Sequence, residues 1–378
     1  MERNFFKNKL DNYWRNLDKR IFFSFILLFF LGLFFSFSST SSLAGERLDK
    51  DYYFFFSKHL LFVFFSLILM FLISFIDLNF LEKTIVPIFI ILFIALILVP
   101  LVGVEVKGSK RWLNLYFFRF QPIEFVKPFF VLVTAKILSL ENFKTKNSSY
   151  IFSFLILLSI IILLVNQPDL GQSILIIGCW ISIVFISGIS IIYIISFFGI
   201  SAASLAGLLI LLPEKFGYIT KRLTSFLDPS KGDNFQSQKA LDAIKQGGLK
   251  GQGMGEGVLK DSVPEAHTDY IIAVIAEEFG SIVSIMLIMI FLYISFRIIK
   301  ITVSEIDKNL KISLCGLSSL LIFQTFIHIG VNASLLPTTG MTLPFLSYGG
   351  SSLIGSSIIA GVILNFTRKD STRYFKND

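Results

Sequence analysis

Long apolar runs separated by short polar connections dominate the pattern of this chain. An α-helix of about 20 predominantly apolar residues crosses a lipid bilayer, and most of the runs approach that length. The pattern therefore predicts an all-α polytopic membrane protein with about ten transmembrane helices. We expect them near residues 21–37, 54–76, 84–102, 122–140, 150–165, 171–188, 191–212, 269–298, 311–331 and 349–366.

Three regions follow from this pattern. A basic N-terminal segment, residues 1–20, precedes a single transmembrane domain over residues 21–366, and a basic tail, residues 367–378, follows it. The first run has a second interpretation as a signal peptide, because Ser42–Ala44 resembles a cleavage site. Its length and the many spans after it favour a transmembrane helix.

Composition agrees with a membrane protein. Of the 378 residues, 54% are hydrophobic and 44 are Phe, which is too apolar for a soluble globule of this length. Cys179 and Cys315 both lie inside apolar runs, so the sequence predicts no disulfide framework.

Basic residues between the spans predict the orientation, because short cytoplasmic loops are enriched in Lys and Arg. They cluster near both termini and in the connections at 139–149 and 297–311, which ten spans place on one side. Both termini are therefore expected in the cytoplasm. The net charge of +8 then reflects topology and contacts with membrane lipids, so nucleic acid is not an expected partner.

One connection departs from this orientation rule. Residues 103–121 are expected on the outer side and yet carry several cations, Lys110 and Arg111 among them. Trp112 beside them fits an interfacial anchor. The exception suggests that these charges serve another purpose, such as contact with an anionic headgroup.

The stretch Val263–Gly280 carries the most candidate chemistry. It combines a polar start with an apolar helix that contains Glu277 and Glu278. At 100° per residue, one stripe of this helix holds Asp269, Ala273, Ala276 and Gly280. Glu277 lies at the shoulder of that stripe, about 12 Å deeper than Asp269.

Two interpretations of Asp269 compete. In the structural one, Thr268 and Asp269 cap the helix while the buried glutamates pair with basic groups. In the functional one, Asp269 is an active-site carboxylate at the lip of a membrane cavity, because ionisable groups at membrane depth are costly and commonly functional. The spacing leaves both open.

Two further segments bring charged residues to the same predicted outer side. Glu124 and Lys127 are three residues apart in a helix that Pro122 suits as a start, so they share a face and can pair. Asp169 lies in a tight turn, Asn166–Gln172, between two spans. Each of these features fits either a structural role or a polar cavity.

The 335–352 stretch, which contains Ser347 and Tyr348, is too rich in Pro and Gly for a plain helix. Non-helical backbone at membrane depth survives only against protein or a wet cavity. This stretch therefore again indicates a polar site on the outer side.

The connection at residues 213–268 is long for an unstructured loop, which suggests function. It holds Lys221, Arg222 and a glycine-rich piece at 247–257. That piece lacks the spacing and the Lys-Ser/Thr ending of a nucleotide loop, so we interpret it as a flexible or turn-rich lid. The scattered His and Cys residues show no zinc spacing.

Taken in order, these motifs resemble those of the SEDS family (shape, elongation, division and sporulation proteins). The resemblance spans residues 107–352 and rests on KRW…QPIEFVKP, NQPDLGQ, FLDP…FQSQKA, GGLKGQGMGEG, VPEAHTDYIIAVIAEEFG and LLPTTGMTLPFLSYGGSS. It implies a ten-span fold with a large outer loop between spans seven and eight, and polymerisation of peptidoglycan strands from lipid II. Division proteins of the family are the closer match, and elongation proteins are the alternative. The departures, at Tyr270–Ile272 and Ile123, affect packing rather than charge.

The resemblance also implies roles for individual residues. Asp269, the aspartate of the H-T-D motif, would be the general base. The polar cavity positions of the family correspond to Trp112, Glu124, Lys127, Asp169, Glu265 and Glu277. Neighbouring residues that we add to the candidate site, in supporting rather than catalytic roles, are His267, Thr268, Ser347 and Tyr348. Cations that could meet the departing diphosphate are Arg111, Lys127, Lys221 and Arg222.

The energy for such a transfer is stored in the diphosphate bond, so no cofactor is required. A divalent cation, Mg²⁺ or Mn²⁺, could still stabilise the leaving group, and its ligands are unknown. The resemblance implies lipid II, the growing glycan strand, a class B penicillin-binding protein and other division proteins as partners. The expected location is the bacterial cytoplasmic membrane at the division septum.

Two other classes of function fit part of the pattern. A transporter that flips lipid-linked sugars predicts a second charged cluster on the cytoplasmic half, where the sequence shows only Asp77 and surface lysines. A scaffold of the division machinery predicts that Asp269 is dispensable.

Overall fold

The computed structural model of the chain describes residues 10–39, 54–106, 108–114, 119–140, 146–211, 213–228 and 235–369. Its α-helices are α1 (Lys19–Ser39), α2 (Phe54–Phe75), α3 (Leu78–Val102), α4 (Pro122–Ser139), α5 (Lys146–Asn166), α6 (Leu170–Ile186), α7 (Ile191–Leu211), α8 (Pro213–Leu227), α9 (Phe235–Gly247), α10 (Ile271–Val303), α11 (Lys308–Asn332) and α12 (Gly350–Phe366). The cleavage-like site at Ser42–Ala44 lies outside the described residues, as do the ends of both terminal segments.

Each predicted span coincides with a helix, which confirms the helical class. Six helices in the described part of the chain are long and apolar enough to cross a membrane, namely α1, α2, α3, α5, α10 and α11. Helices α6 and α12 are apolar but shorter, with 17 residues each. That all ten segments cross the bilayer stays a prediction. Cys179 and Cys315 are free thiols, as the sequence predicts.

Local capping explains where several helices begin. Asp77 accepts a hydrogen bond from Asn79 N at the start of α3, and Asp307 accepts one from Leu310 N at the start of α11. Pro122 occupies the first turn of α4, where its missing N–H is not needed. Polar residues and proline at the ends of the apolar runs therefore set the helix starts.

The core of the bundle surrounds α4. Of its 18 residues, 15 are buried, including Glu124 and Lys127. It packs against α3, α6, α11 and α12. Helices α2 and α3 instead expose large apolar side chains such as Phe64 and Ile91. An apolar exterior around buried charges is the arrangement expected of a protein that lies in lipid.

The 103–121 connection forms a small antiparallel sheet, which the all-α prediction missed. Strands β1 (Val104–Val106), β2 (Ser109–Asn114) and β3 (Arg119–Phe120) pair in the order β1-β2-β3. Trp112 is partly buried and pairs with Val104, so it belongs to the sheet rather than being an isolated anchor. Strands of two to six residues are too short to give a readable alternation.

The described part of the 213–268 connection is structured, and its glycine-rich piece forms turns, as the turn-rich alternative of the prediction expects. The connection contains α8, α9 and a 3₁₀ helix, Leu259–Ser262. Gln252 N donates to Glu277 O at 2.9 Å, and Ser281 N donates to Gly248 O at 2.9 Å. The glycine-rich piece therefore docks onto the backbone of α10.

Gly280 divides α10 into two parts, because its φ of 85° and ψ of 169° are not helical. The part after the break, residues 281–303, is about 35 Å long at 1.5 Å per residue, which is enough to cross a hydrocarbon core of about 30 Å. The helix begins at Ile271, after Asp269, so the predicted stripe from Asp269 to Gly280 is wrong. The depth predicted for Glu277 relative to Asp269 stays a prediction.

Replacing Gly280 by Ala tests this docking. The backbone conformation of Gly280 is essentially restricted to glycine, and strain there is of order 1–3 kcal/mol. A Cβ atom at this position would also overlap the carbonyl oxygen of Leu249. We expect Gly280→Ala to lower the thermal unfolding temperature in detergent and to make residues 247–257 sensitive to protease.

Gly199→Ala is the matched control, because a Cβ atom there meets nothing within 4 Å. Alanine at this position in α7 should be neutral or slightly stabilising. Equal unfolding temperatures and equal cleavage for the two variants would contradict the docking.

Candidate active site

A tight turn directly before α10 carries Asp269. Glu265 adopts a left-handed φ of 58°, which reverses the chain. Asp269 N donates to Glu265 O at 3.1 Å, and Thr268 Oγ1 donates to Glu265 Oε2 at 3.0 Å. Tyr270 is the N-cap of α10, and within the described part of the chain its side chain makes no capping hydrogen bond to the helix. The interpretation of Thr268 and Asp269 as helix caps is therefore wrong.

Three consecutive carbonyl groups of this turn are held from the opposite side. Tyr348 N donates to His267 O at 2.9 Å, and Ser347 Oγ donates to Thr268 O at 2.6 Å. Asn332 Nδ2 donates to Asp269 O at 3.0 Å. The donors come from the end of α11 and from residues 333–349, the non-helical connection between α11 and α12. The backbone position of Asp269 is thus fixed by contacts made far away in the sequence.

His267 lies in an aromatic cluster beside this turn. Its ring centroid is 4.9 Å from that of Phe55 on α2 and 5.7 Å from that of Tyr348. Phe55 and Tyr348 also meet edge to face, with their centroids 5.6 Å apart. Phe55 was not predictable as part of this site, since it lies in an apolar span far from the H-T-D motif.

Residues 338–340 connect the turn to the cationic side chain of Arg222. Arg222 on α8 donates from Nη1 to Thr338 O at 3.2 Å. A Cβ atom on Gly171 would lie 2.8 Å from Thr339 Cβ, and one on Gly340 would lie 3.4 Å from Asp269 Oδ2. Arg222, the start of α6 and the Asp269 carboxylate therefore meet along one short segment.

Arg111 on β2 reaches the same place through the turn before α6. Its Nε and Nη2 donate to Gln167 O at 3.2 Å and to Pro168 O at 2.6 Å. Its Nε is 3.7 Å from Asp169 Oδ2. Burial, and after it the like charge of Arg111, lower the pKa of the Arg222 guanidinium. Arg222 and Arg111 thus bring two neighbouring guanidinium groups to this end of the bundle.

A buried ion pair lies deeper in the bundle. Lys127 Nζ is 2.8 Å from Glu124 Oε2, which confirms the pair predicted from their spacing. Gln172 Nε2 donates to Glu124 Oε1 at 2.6 Å, and Lys127 Nζ donates to Gln324 Oε1 at 3.1 Å. Lys127 is only 1% exposed, so the prediction that it meets a diphosphate at the surface is wrong. Neither glutamine was predicted as a site residue, although Gln324 is a polar residue inside an apolar run.

Two predicted site residues remain, Lys221 and Glu277, and they lie in different surroundings. Lys221 is exposed beside Arg222 on α8. Glu277 is fully buried beneath the 213–268 connection, where its Oε1 accepts a hydrogen bond from Leu259 N at 2.7 Å. Among the described residues, Glu277 is thus bonded to the 213–268 connection and not to the Glu124–Lys127 pair. The described residues contain no cluster of three or more His, Cys, Asp or Glu side chains that could hold a metal ion.

Comparison with known proteins gives one consistent family. The model of the family described as "Cell cycle protein" and named for FtsW, RodA and SpoVE matches residues 18–372. The probable peptidoglycan glycosyltransferase FtsW of Caulobacter vibrioides is 33% identical over 370 residues, which cover 97% of this chain and 93% of that protein. Stage V sporulation protein E of Bacillus subtilis is 33% identical, with 91% of this chain and 94% of that protein covered.

Solved structures agree with these relatives. A chain from a study of structural coordination of polymerization and crosslinking by a peptidoglycan synthase complex superposes with a TM-score of 0.76. It is 25% identical, with 96% of this chain and 99% of that chain covered. The rod shape determining protein RodA of Thermus thermophilus gives a TM-score of 0.69 at 25% identity, with 95% and 99% covered. The chain therefore belongs to the SEDS family of cell cycle proteins, the family of FtsW, RodA and SpoVE.

Proposed function

We propose that this chain, a glycosyltransferase that polymerises peptidoglycan, extends glycan strands from lipid II with Asp269 as its general base. One observation carries the proposal, namely the meeting of the Asp269 carboxylate and the Arg222 guanidinium along residues 338–340, with Arg111 at the neighbouring turn before α6. A polymerase needs a base for the attacking hydroxyl and positive charge for the departing diphosphate. The bundle brings the two together at one end, which we call the Asp269 end.

The proposed reaction is a single displacement. The Asp269 carboxylate accepts the proton of the acceptor 4-hydroxyl while that oxygen forms a bond to the anomeric carbon of the donor sugar. The bond between this carbon and the lipid diphosphate breaks, and the electron pair leaves with the diphosphate. Arg222 and Arg111 are placed to stabilise the charge of the leaving group. General-base catalysis of this kind contributes about 10²–10⁴-fold.

A divalent cation, Mg²⁺ or Mn²⁺, would supply further stabilisation of the leaving diphosphate. Since the described residues contain no cluster of ligands for a metal ion, the diphosphate itself would have to provide part of the coordination. Magnesium is commonly bound in this way, through one or two carboxylates together with substrate phosphates.

The chain is a multi-pass protein of the inner membrane, and we propose that the Asp269 end faces outward while both termini are cytoplasmic. This orientation follows the distribution of Lys and Arg between the spans. The similarity to FtsW supports a role at the division septum, with elongation as the alternative. The matched peptidoglycan synthase complex coordinates polymerization and crosslinking, which supports a class B penicillin-binding protein as the partner here.

Lipid flipping is the alternative that the structure allows us to weigh. The opposite end of the bundle has a charged cleft of about 1410 Å³, lined by seven Lys or Arg and five Asp or Glu side chains. The expectation of only Asp77 and surface lysines was therefore too narrow. However, the cleft is lined by helix ends and connections, and Phe345 packs between Phe25 and Phe29 of α1 and Phe291 of α10 in the interior. This apolar block between the two ends favours polymerisation over passage of a headgroup.

Purified protein with lipid II tests the proposed function directly. The reaction is run alone and with the cognate class B penicillin-binding protein, and the glycan strands are separated by gel electrophoresis. Strands formed in either condition support the proposal. Movement of lipid II between vesicle leaflets without any strand formation would replace it with the flipping function.

Arg222 offers a sharper test of the diphosphate site. We expect Arg222→Gln to raise the KM for lipid II and to lower kcat/KM by about tenfold or more, because a charge-assisted contact to phosphate contributes roughly 1.5–3 kcal/mol. Lys221→Gln is the matched control, since Lys221 is the exposed neighbour on the same helix. An equal loss for both variants would indicate a general effect of charge on α8 rather than a specific contact.

A further inference from the structure

A second buried ion pair joins the 213–268 connection to two helices. Lys260 Nζ is 2.5 Å from Glu278 Oε1, and the two residues are 8% and 1% exposed. Lys260 Nζ also donates to Ser38 O of α1 at 3.4 Å, and Ser38 Oγ donates to Glu278 Oε2. Gly255 N adds a hydrogen bond to Glu278 Oε1 at 3.2 Å. One carboxylate of α10 therefore holds α1, the glycine-rich piece and the 3₁₀ helix together.

The neighbouring carboxylate strengthens the same junction. Glu277 Oε1 accepts the hydrogen bond from Leu259 N, the residue before Lys260. A Cβ atom on Gly257 would lie 2.9 Å from Glu277 Cδ, so glycine leaves room for this carboxylate. The two glutamates thus fasten the 3₁₀ helix from which the chain continues into the Asp269 turn.

The Asp269 turn is fixed at both ends. At its beginning, Val263 and Ala266 are buried in a small core with Tyr270 and Ala273. At its end, Asn332, Ser347 and Tyr348 donate hydrogen bonds to the carbonyl groups of Asp269, Thr268 and His267, respectively. Lys260 and Glu278 form an ion pair between this connection and α10.

A buried ion pair is a poor source of stability, because the desolvation of both charges offsets their attraction. An apolar pair of similar volume would commonly serve stability as well or better. We propose that Lys260 is a positioning residue for Asp269, acting through Glu278 and the 3₁₀ helix. The proposal rests on the general-base role of Asp269 proposed above.

A double substitution separates positioning from stability. Lys260→Met alone leaves the Glu278 carboxylate buried without its cation, so both the unfolding temperature and kcat should fall. Lys260→Met with Glu278→Gln removes both charges and should restore the unfolding temperature. We expect kcat of the double variant to remain at least about tenfold below that of the native protein, since small misplacement of a catalytic group has effects of this size. The KM for lipid II should stay within about twofold, because neither side chain touches the substrate in this proposal.

Hydrogen exchange of residues 255–269 provides a readout that does not depend on activity. Exchange in this segment should be faster in both variants, while Lys250→Met, a change at an exposed lysine of the same connection, should match the native protein. Native kcat and native exchange in the double variant would overturn the positioning role. If the native protein forms no glycan strands, the proposed function fails, and the exchange data still decide whether the ion pair orders the turn.

Discussion

Asp269→Asn is expected to abolish strand formation from lipid II while the protein still folds. The amide cannot accept the hydroxyl proton, and loss of a general base lowers the rate by about 10²–10⁴-fold. The fold should persist because the turn is held through backbone groups. Asn332 Nδ2 donates to the main-chain oxygen of Asp269, and Asp269 N donates to Glu265 O. The measurement is the initial rate of glycan synthesis by purified protein, with the unfolding temperature recorded in the same detergent.

Asp242→Asn is the matched control for this experiment. Asp242 is exposed on α9, within the same connection that leads to the turn, and the chemical change is identical. Its variant should retain the native rate. Normal glycan output from Asp269→Asn would remove Asp269 as the base. Absence of strand formation by the native protein as well as the variant would instead favour a scaffold role.

The spans could be read from the sequence because each one is a long apolar run with little competing structure. The 17-residue α6, for example, is bounded by a turn that begins with Asn166 and by Ser187. The sheet at 104–120 could not be read in the same way. Its strands are short, and their pairing is decided by contacts with neighbouring strands rather than by local composition.

The site was predictable where its geometry is local. Glu124 and Lys127 lie three residues apart on a helix, so their pairing follows from helix geometry. The break at Gly280 was not predictable, because the helical pattern continues through it and a glycine inside a helix is normally tolerated. Only the docking of residues 247–253 against α10 makes the broken conformation favourable. Glu277 and Glu278 contact the docked connection, and the predicted stripe failed because Asp269 precedes the helix and Gly280 is not helical.

Two buried Lys–Glu ion pairs of the described residues differ in their relation to the candidate chemistry. Lys260 and Glu278 join a connection to a helix near the Asp269 turn. Glu124 and Lys127 lie within α4, the most buried helix of the core, and are continued by glutamines on α6 and α11. The Glu124–Lys127 pair therefore connects three helices of the core, and its removal should have the larger effect on stability.

Lys127→Met is expected to destabilise the protein by about 3–5 kcal/mol, the effect of leaving one partner of a buried ion pair without the other. Glu124 is 4% exposed, so water cannot replace the ammonium group, and the Gln172 amide alone remains to satisfy the carboxylate. A protein of marginal stability loses much of its folded population to such a change. The measurement is thermal unfolding of the purified protein in one detergent, together with the yield of monodisperse material.

Glu124→Gln combined with Lys127→Met tests the cause of this loss. The double variant carries no unpaired buried charge, so most of the stability should return, and the coupling between the two substitutions measures the pair directly. Lys300→Met is the matched control, because Lys300 is exposed near the end of α10 and its loss should be within about 0.5 kcal/mol of neutral. If the double variant were as unstable as the sum of the single variants, the damage would come from lost packing around α4 and not from the unpaired charge.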